Sequence, residues 1–357
     1  MGKIAVVDIH RLCVDILTFY NVPVDDASII SDSIVYAHTR EKHTHGIGRM
    51  EIYVRKIKQG LLNPDTPIDT IAETPVISII NANNGFGQVA AVKAMRIAIE
   101  KAKVHGIGLV GVKDSNNFGT AGFIGEQATN EFMIGIVLSN SAPAIAPTGG
   151  NKALFGTNPL CISFPTSDND FPIILDMACS GVARGKVRLA AKRGEKIPIG
   201  WAVDETGNET DDPIKALKGF LLPIGDYKGF GLALCVDVLA GLITGSGFAG
   251  EVKNLDHPTD ISCQGHMIIA INPSFFMSRT DYMQKMDKLI ASTKACGNTD
   301  SVFLPGEQSF QKYLVNSRIV VIEQDLIDII NLLADEAGYE KLNVCDISST
   351  GKQKASG

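Results

Sequence analysis

Val76-Ile77-Ser78-Ile79-Ile80, then Gly85-Phe86-Gly87-Gln88-Val89-Ala90, then Gly106-Ile107-Gly108-Leu109-Val110-Gly111-Val112 decide how this chain folds. In order they give a β-branched strand, a glycine-rich turn that opens an alanine-rich helix over about Ala90–Lys103, and a second strand. Spelled Gly-x-Gly-x-x-Ala, the turn matches the phosphate-binding fingerprint of a doubly wound sheet. The context does not. The strand ends about four residues before the first glycine, no ribose-binding acid closes the second strand, and the strand–helix alternation stops there. The expectation is an α/β (α+β) fold that is not of the Rossmann type.

Working outward, Lys113 to Pro159 sets glycines and small polar residues wherever an apolar strand such as Ile134–Leu138 stops. The stretch contains Ser115-Asn116-Asn117-Phe118-Gly119, Asn140-Ser141-Ala142-Pro143 and Phe155-Gly156-Thr157-Asn158-Pro159. Sheets present backbone and short side chains in this way at the mouth of a pocket, although ordinary surface turns use the same residues. Leu160–Phe164 and Ile173–Leu175 follow as strands, the latter running into Asp176-Met177-Ala178-Cys179-Ser180, and His266–Ile271 is a later one. Between them Gly181–Arg193 forms a helix carrying Arg184, Lys186, Arg188, Lys192 and Arg193, a solvated face of which one or two members suit a phosphate. Pro223 to Gly231, with Asp226 and Lys228, opens an apolar helix over Leu232–Ile243. Free amides, a helix N-terminus and an ammonium make this loop a physical anion site; the plainer alternative is a turn with an exposed lysine.

Both ends of the chain are helical. Asp8 caps a first helix with Ile9, Leu12, Cys13, Ile16 and Leu17 on its buried face, and a second runs from Asp25 or Asp26 towards Arg40. A third, from Ile47, ends at Gly60 and Pro64, and places His45, Arg49 and Tyr53 at i, i+4 and i+8 on one face. That face is either a clamp for a substrate carboxylate, with Arg49 as the fork and His45 as a proton donor, or a solvated surface. His43-x-His45 lacks the acidic or cysteine partners of a metal site. Near the C-terminus, Leu304-Pro305-Gly306-Glu307 is a sharp turn between helices over Asp281–Ala291 and Glu323–Ala337, and Ser348–Gly357 is a polar, frayed tail.

The 357 residues call for more than one lobe: residues 1–75 as an N-terminal helical segment, 76–274 as an α/β domain, and 275–357 as a C-terminal helical segment packing with the first. A net charge of −6, with no basic run, argues against nucleic acid as a partner. No stretch reaches the ~20 apolar residues of a membrane span, and the N-terminal apolar run is too short for a signal peptide. Seven scattered cysteines (13, 161, 179, 235, 263, 296, 345), without Cys-x-x-Cys, fit reduced thiols of a cytoplasmic protein rather than zinc ligands.

Taken together, Thr44-His45-Gly46 with Arg49, Ser115 to Gly119, Gly156 to Pro159, Leu175 to Ala178, Lys228-Gly229-Phe230-Gly231, Gly265-His266 and Pro305-Gly306-Glu307 resemble the malate/L-lactate dehydrogenase family of the non-Rossmann type, from about Asp8 to Val344. This is the group that includes sulfolactate, ureidoglycolate and diketogulonate reductases. The resemblance implies a homodimer, a non-Rossmann NAD(P)-binding mixed-sheet domain with a helical lobe built from both ends of the chain, and hydride transfer between NAD(P)H and a small 2-oxo acid. It assigns the dinucleotide to Ser141, Asp176, Met177, Ala178, Lys228, Gly229, Gly306 and Glu307. It places Arg49 where it fits the substrate acid and His45 on the histidine that is the proton donor in some members; Tyr53 and Thr157 are expected to join Arg49 at the substrate.

Three positions depart from the family pattern. Asn117 replaces the histidine that other members use as acid/base, Thr44 replaces a serine, and Asp226 stands where a second glycine is common. With Asn117 beside it in the catalytic set, His45 is the expected acid. The expected activity is an NAD-dependent (NADP possible) 2-hydroxy-acid dehydrogenase, malate/oxaloacetate first and lactate/pyruvate next, with no metal. The alternatives are a sulfolactate, ureidoglycolate, sugar-acid or ketimine reductase on the same scaffold, or a cofactor-binding homologue without catalysis.

Overall fold

The computed structural model describes residues 1–167, 171–297 and 301–344. Cys345 and the Ser348–Gly357 tail lie outside the described residues. The chain begins with β1 (Gly2–Ala5), α1 (Val6–Phe19), α2 (Val24–Thr39) and α3 (Arg49–Lys58). There follow β2 (Asp69–Glu73), β3 (Ile77–Asn81), α4 (Gly87–His105), β4 (Ile107–Ser115), α5 (Ala121–Asn130), β5 (Ile134–Ser139), β6 (Leu160–Phe164) and β7 (Ile173–Met177). Next come α6 (Arg184–Arg193), β8 (Ala202–Val203), α7 (Pro213–Lys218), β9 (Phe220–Leu221), α8 (Tyr227–Val236) and β10 (Gln264–Ile271). The last elements are α9 (Arg279–Lys294), α10 (Glu307–Asn316), β11 (Ile319–Ile322) and α11 (Gln324–Ala337).

Two compact units result, one made of residues 1–55 with those from 309 onward, the other of residues 56–308. The cuts thus fall at 55/56 and 308/309, where the sequence reading drew 75/76 and 274/275, and β2 and α9 go with the sheet. In α9, Tyr282 meets the Phe132 ring edge-on at 5.4 Å and Asp287 accepts from the Ser167 hydroxyl at 2.6 Å, both contacts within the sheet unit.

In the terminal unit, α1 buries Ile9, Leu12, Cys13, Ile16 and Leu17, the 3.6-residue stripe expected of it. Asp8 is not its cap: the helix starts at Val6, because β1 pairs antiparallel with β11 and the Val6 amide donates to the Arg318 carbonyl at 2.9 Å. Asp8 sits in the first turn, where a carboxylate suits the helix dipole, and pairs with Arg11.

The other unit is a seven-stranded sheet in the order β2-β3-β4-β10-β5-β6-β7. Only β3 and β4 run parallel, joined by α4; every other neighbouring pair is antiparallel. A doubly wound sheet is thereby excluded and the mixed α/β fold stands. The centre is closed to solvent: Val110, Val112, Val137, Ile268 and Ala270 are fully buried, α4, with Val89, Ala90, Ala94, Met95 and Ala98 buried, packs on β4 and β10, and α5 packs on β5. Because β10 enters from far along the chain to lie between β4 and β5, its first residues meet the last residues of both, His266 opposite Ser139 and Gln264 opposite Ser115, with a bulge between them. The helix expected over Leu232–Ile243 starts earlier, at Tyr227, and widens into a π turn over Asp237–Leu242. Among the described residues no helix is long and apolar enough to cross a membrane.

Candidate active site

In the sheet unit, the β4 end carries Ser115, Asn116 and Asn117. Asn116 is buried and its amide donates to the carbonyls of Asn84 and Gly85, at 3.1 and 2.9 Å, and to the Asn84 side chain at 3.0 Å. A Cβ on Gly87 would overlap the Asn116 carbonyl. The fingerprint glycine is therefore a seat for the Asn116–Asn117 loop. Asn117 is half-buried, and its Oδ1 accepts from the Gly119 amide at 3.1 Å. That bond turns the Nδ2 donor the other way.

The ends of β5, β6 and β7 come together around Cys179. Ser141 and Thr157 hold their hydroxyls 3.4 Å apart, and the Thr157 carbonyl accepts from the Cys179 amide at 2.8 Å. Asp176, Met177 and Ala178 lead into Cys179, whose carbonyl accepts from the Ile224 amide at 2.9 Å. Any Cβ on Gly229 would stand 2.5 Å from both that carbonyl and the Ile224 nitrogen, so only glycine lets the start of α8 lie so close. Ser141, Thr157, Asp176 to Ala178 and Gly229 thus belong to one neighbourhood. Burial pushes the Cys179 thiol up to about 11, which makes it a packing residue and not a nucleophile.

Lys228 is exposed on the first turn of α8. Asp226, just before that turn, takes a left-handed backbone (φ 56°) and accepts from the Thr148 hydroxyl at 3.3 Å. Gly306 lies against the strand leading to Asp176, since the Ile174 amide donates to the Pro305 carbonyl at 3.0 Å. Glu307 does not extend a carboxylate outward: it is held by Lys294 at 2.5–2.6 Å and accepts from the Leu304 amide at 2.8 Å, closing its own turn. Arg184, expected on a solvated or phosphate-binding face, instead donates to the Pro143 and Leu217 carbonyls at 3.2 and 3.0 Å.

In the terminal unit, His45 is not on α3. It ends a separate turn, His43–His45, because Gly46 breaks the helical path before Arg49. The His45 Nδ1 lies 3.0 Å from the Thr44 hydroxyl, and the Arg49 Nε donates to the Thr44 carbonyl at 2.7 Å. His45 and Arg49 thus share Thr44 as an anchor instead of a helical face, and both are half-buried. Tyr53, on α3, is 1% exposed, so its phenol belongs to the core.

Two residues that the sequence reading quoted without a role prove central to the sheet unit. Asn158, buried and left-handed (φ 36°), accepts the Ser141 amide at 3.0 Å and donates to the Ala233 carbonyl at 2.8 Å, tying the Ser141 loop to α8. His266 is the other. A histidine beside a glycine at the start of an apolar strand is the signal the sequence offered for it.

A mixed sheet whose strand ends gather small polar loops around the start of a lysine-bearing helix defines a dehydrogenase of the non-Rossmann kind. The chain belongs to the malate/L-lactate dehydrogenase family, whose model matches residues 4–329. It is 38% identical over 338 residues to the L-sulfolactate dehydrogenase of Methanocaldococcus jannaschii, covering 94% of this chain and 96% of that one. It is also 38% identical over 332 residues to the malate/(S)-sulfolactate dehydrogenase of Methanothermus fervidus, covering 93% and 97%. The solved sulfolactate dehydrogenase from Methanocaldococcus jannaschii superimposes with a TM-score of 0.88 at 37% identity, covering 94% of this chain and 98% of that one. The protein is accordingly an oxidoreductase acting on CH–OH groups of hydroxy acids, and its family implies a nicotinamide cofactor. The residues fit such a group: the hydroxyls of Ser141 and Thr157 and the exposed Lys228 ammonium with the α8 amides suit a dinucleotide with anionic phosphates.

Proposed function

We propose that the protein is an NAD(P)-dependent dehydrogenase of 2-hydroxy acids that carry a second anionic group on C3, with malate/oxaloacetate the first pair to test and sulfolactate/sulfopyruvate the second. The observation that supports this most is the gathering of Ser141, Thr157, Asp176 to Ala178 and Gly229 around Cys179 in a chain of this family. The similarity to relatives named for malate and sulfolactate supports the substrate class, since both acids bear a carboxylate or sulfonate on C3.

The bound nicotinamide supplies or accepts the hydride. This chain's own residues do the rest. In the sheet unit, Lys228 and the α8 amides neutralise the cofactor phosphates and the Asn117 amide suits a carbonyl oxygen; in the terminal unit, the planar fork of Arg49 suits a carboxylate and His45 suits a proton donor. Asp226 next to Lys228 places a negative charge where an additional phosphate is unwelcome, which favours NADH over NADPH. A spectrophotometric screen of NADH and NADPH oxidation with oxaloacetate, sulfopyruvate, pyruvate and a cyclic ketimine tests the reading. Turnover of oxaloacetate or sulfopyruvate well above the other two is expected; preference for pyruvate or the ketimine, or no turnover, overturns it.

The same reading includes a homodimer. Leu232, Leu234, Leu239, Leu242 and Ile243, on α8 and the turn after it, are 39–52% exposed, an apolar face suited to a second copy of this chain. Sedimentation equilibrium at micromolar concentration should give twice the chain mass.

A further inference from the structure

We propose that His266 is a positioning residue that ties the Asn117 loop to the Ser141 loop, one ring nitrogen for each, and that its two contacts control different kinetic quantities. This rests on the dehydrogenase reading above, in which Asn117 meets substrate and Ser141 meets cofactor.

His266 has no exposed surface. Its Nε2 lies 2.9 Å from the Ser115 hydroxyl, two residues before Asn117, and its Nδ1 lies 2.9 Å from the Ser139 hydroxyl, two residues before Ser141. The Phe118 ring packs on it at 4.7 Å, so the Asn117 side of the loop is held by shape as well. Ser139 donates its proton to the Asn140 carbonyl at 2.9 Å, which leaves its oxygen to accept from Nδ1–H. Nε2 then accepts from Ser115, whose alternative acceptor, the Asn116 carbonyl, is farther off at 3.5 Å. A neutral ring satisfies both bonds at once. Burial agrees, driving the His266 pKa down to about 3, so at working pH the ring holds its partners and exchanges no proton.

The Ser139 side has further support. Asn140 is fully buried; its Oδ1 accepts from the Gly265 amide at 3.0 Å, its Nδ2 donates to the Gly247 carbonyl at 2.6 Å, and its carbonyl accepts from the Gln264 side chain at 2.8 Å. The two loops thus meet through the bulged start of β10, which neither contains.

The test uses the full-length protein and the variants Ser115→Ala, Ser139→Ala and His266→Phe, with kcat measured at saturating NADH and 2-oxo acid and NADH Kd measured by fluorescence titration. One lost buried hydroxyl bond corresponds to roughly a five- to tenfold effect. Ser115→Ala should spend that effect mainly on kcat, Ser139→Ala mainly on NADH Kd, and His266→Phe should change both. Should His266→Phe fail to fold, the serine pair decides. A merely structural role would lower the melting midpoint of both serine variants without dividing the kinetic effect; that pattern, or any other than the division stated, overturns the positioning role. A wild type that neither binds nor oxidises NADH overturns the dehydrogenase reading and this role with it, whereas an active wild type with undivided variants overturns this role alone.

Discussion

Gly87 and the Asn116 carbonyl touch so closely that any side chain at position 87 would occupy the oxygen's place. The first turn of α4 is thereby the support on which the loop after β4 rests, and Asn117 takes its position from a helix that begins thirty residues earlier. Gly87→Ala should force the loop outward. Overpacking at such a site costs roughly 1–3 kcal/mol, and displacing a substrate-contacting group by an ångström lowers turnover by up to about 10²-fold. Urea denaturation alongside kcat measurement checks this; a variant with wild-type kcat would show that Asn117 keeps its place without the seat.

What the sequence revealed and concealed follows from how local each signal is. The stripe Ile9, Leu12, Cys13, Ile16, Leu17 announced α1 because helical burial repeats within a few residues. β1 and β11 were invisible: each is four residues long, and each exists because the other, more than three hundred residues away, pairs with it. Leu304 to Glu307 was visible as a turn, but its last residue, Glu307, also starts α10, which the turn concealed. Position 45 was misjudged because periodicity runs through Gly46 on paper while the backbone does not. The Gly85–Ala90 fingerprint is ambiguous for a deeper reason, since whether a bare glycine cradles a phosphate or a neighbouring carbonyl depends on what lies opposite. Asn158 and His266 draw their roles wholly from partners far along the chain.

Lys228 stands exposed on the first turn of α8, and Gly229 after it is pinned to Cys179. A charge-assisted contact to phosphate is worth roughly 1.5–3 kcal/mol, so Lys228→Ala should raise the cofactor KM by about tenfold or more with little change in kcat. Asp226→Asn should narrow the preference for NADH over NADPH. Initial rates with both cofactors decide; an unchanged cofactor KM in Lys228→Ala would remove the lysine from the phosphate site.

Arg49 is anchored through Nε to the Thr44 carbonyl, which fixes the plane of its guanidinium. Lysine preserves the charge and loses the plane. Arg49→Lys should therefore raise the KM for the 2-oxo acid by about tenfold or more and leave NADH affinity nearly alone. Fluorescence titration of NADH together with substrate saturation curves separates the two; damage to cofactor binding with substrate KM spared would reassign the residue.

Stability should fall as the pH drops below neutrality. Burial lowers the His38 pKa from 6.5 to about 4, and that of His266 to about 3. Unfolded, both imidazoles take up a proton below about 6.5; folded, they resist until about 4 and 3, so the unfolded state binds more protons across that window and gains on the native one as pH falls. The contribution is fully present above about pH 6.5. His38 alone accounts for at most about 3 kcal/mol of the loss between 6.5 and 4. His38→Leu keeps the bulk without the titration and should flatten that part of the slope, as urea midpoints at pH 7, 6, 5 and 4.5 would show. An identical slope in the variant would place the acid sensitivity elsewhere.

Reducing a carbonyl by hydride leaves an alkoxide, and the group that protonates it must be able to part with a proton near neutral pH. An amide donates a hydrogen bond but keeps its proton, so Asn117, with Oδ1 committed to the Gly119 amide, is suited to orient the carbonyl oxygen and not to protonate it. An imidazole does what an amide cannot, and His45, held beside the Thr44 hydroxyl at 3.0 Å on a half-buried turn, is the residue proposed for this task. Tyr53, expected at the substrate, is enclosed in the core, where its phenol is not placed to supply the proton. His45→Asn preserves a hydrogen-bonding side chain and removes the acid. It should lower kcat about 10²–10⁴-fold, the usual range for loss of a general acid, and erase the limb of the pH–rate profile that the imidazole produces. Asn117→Ala should cost less and leave that limb in place, because it takes away orientation alone. Full pH–rate profiles of the wild type and both variants give the answer: wild-type kcat and profile in His45→Asn would mean that the proton comes from water or another group, while loss of the limb in Asn117→Ala would mean that the amide governs the acid as well as the carbonyl.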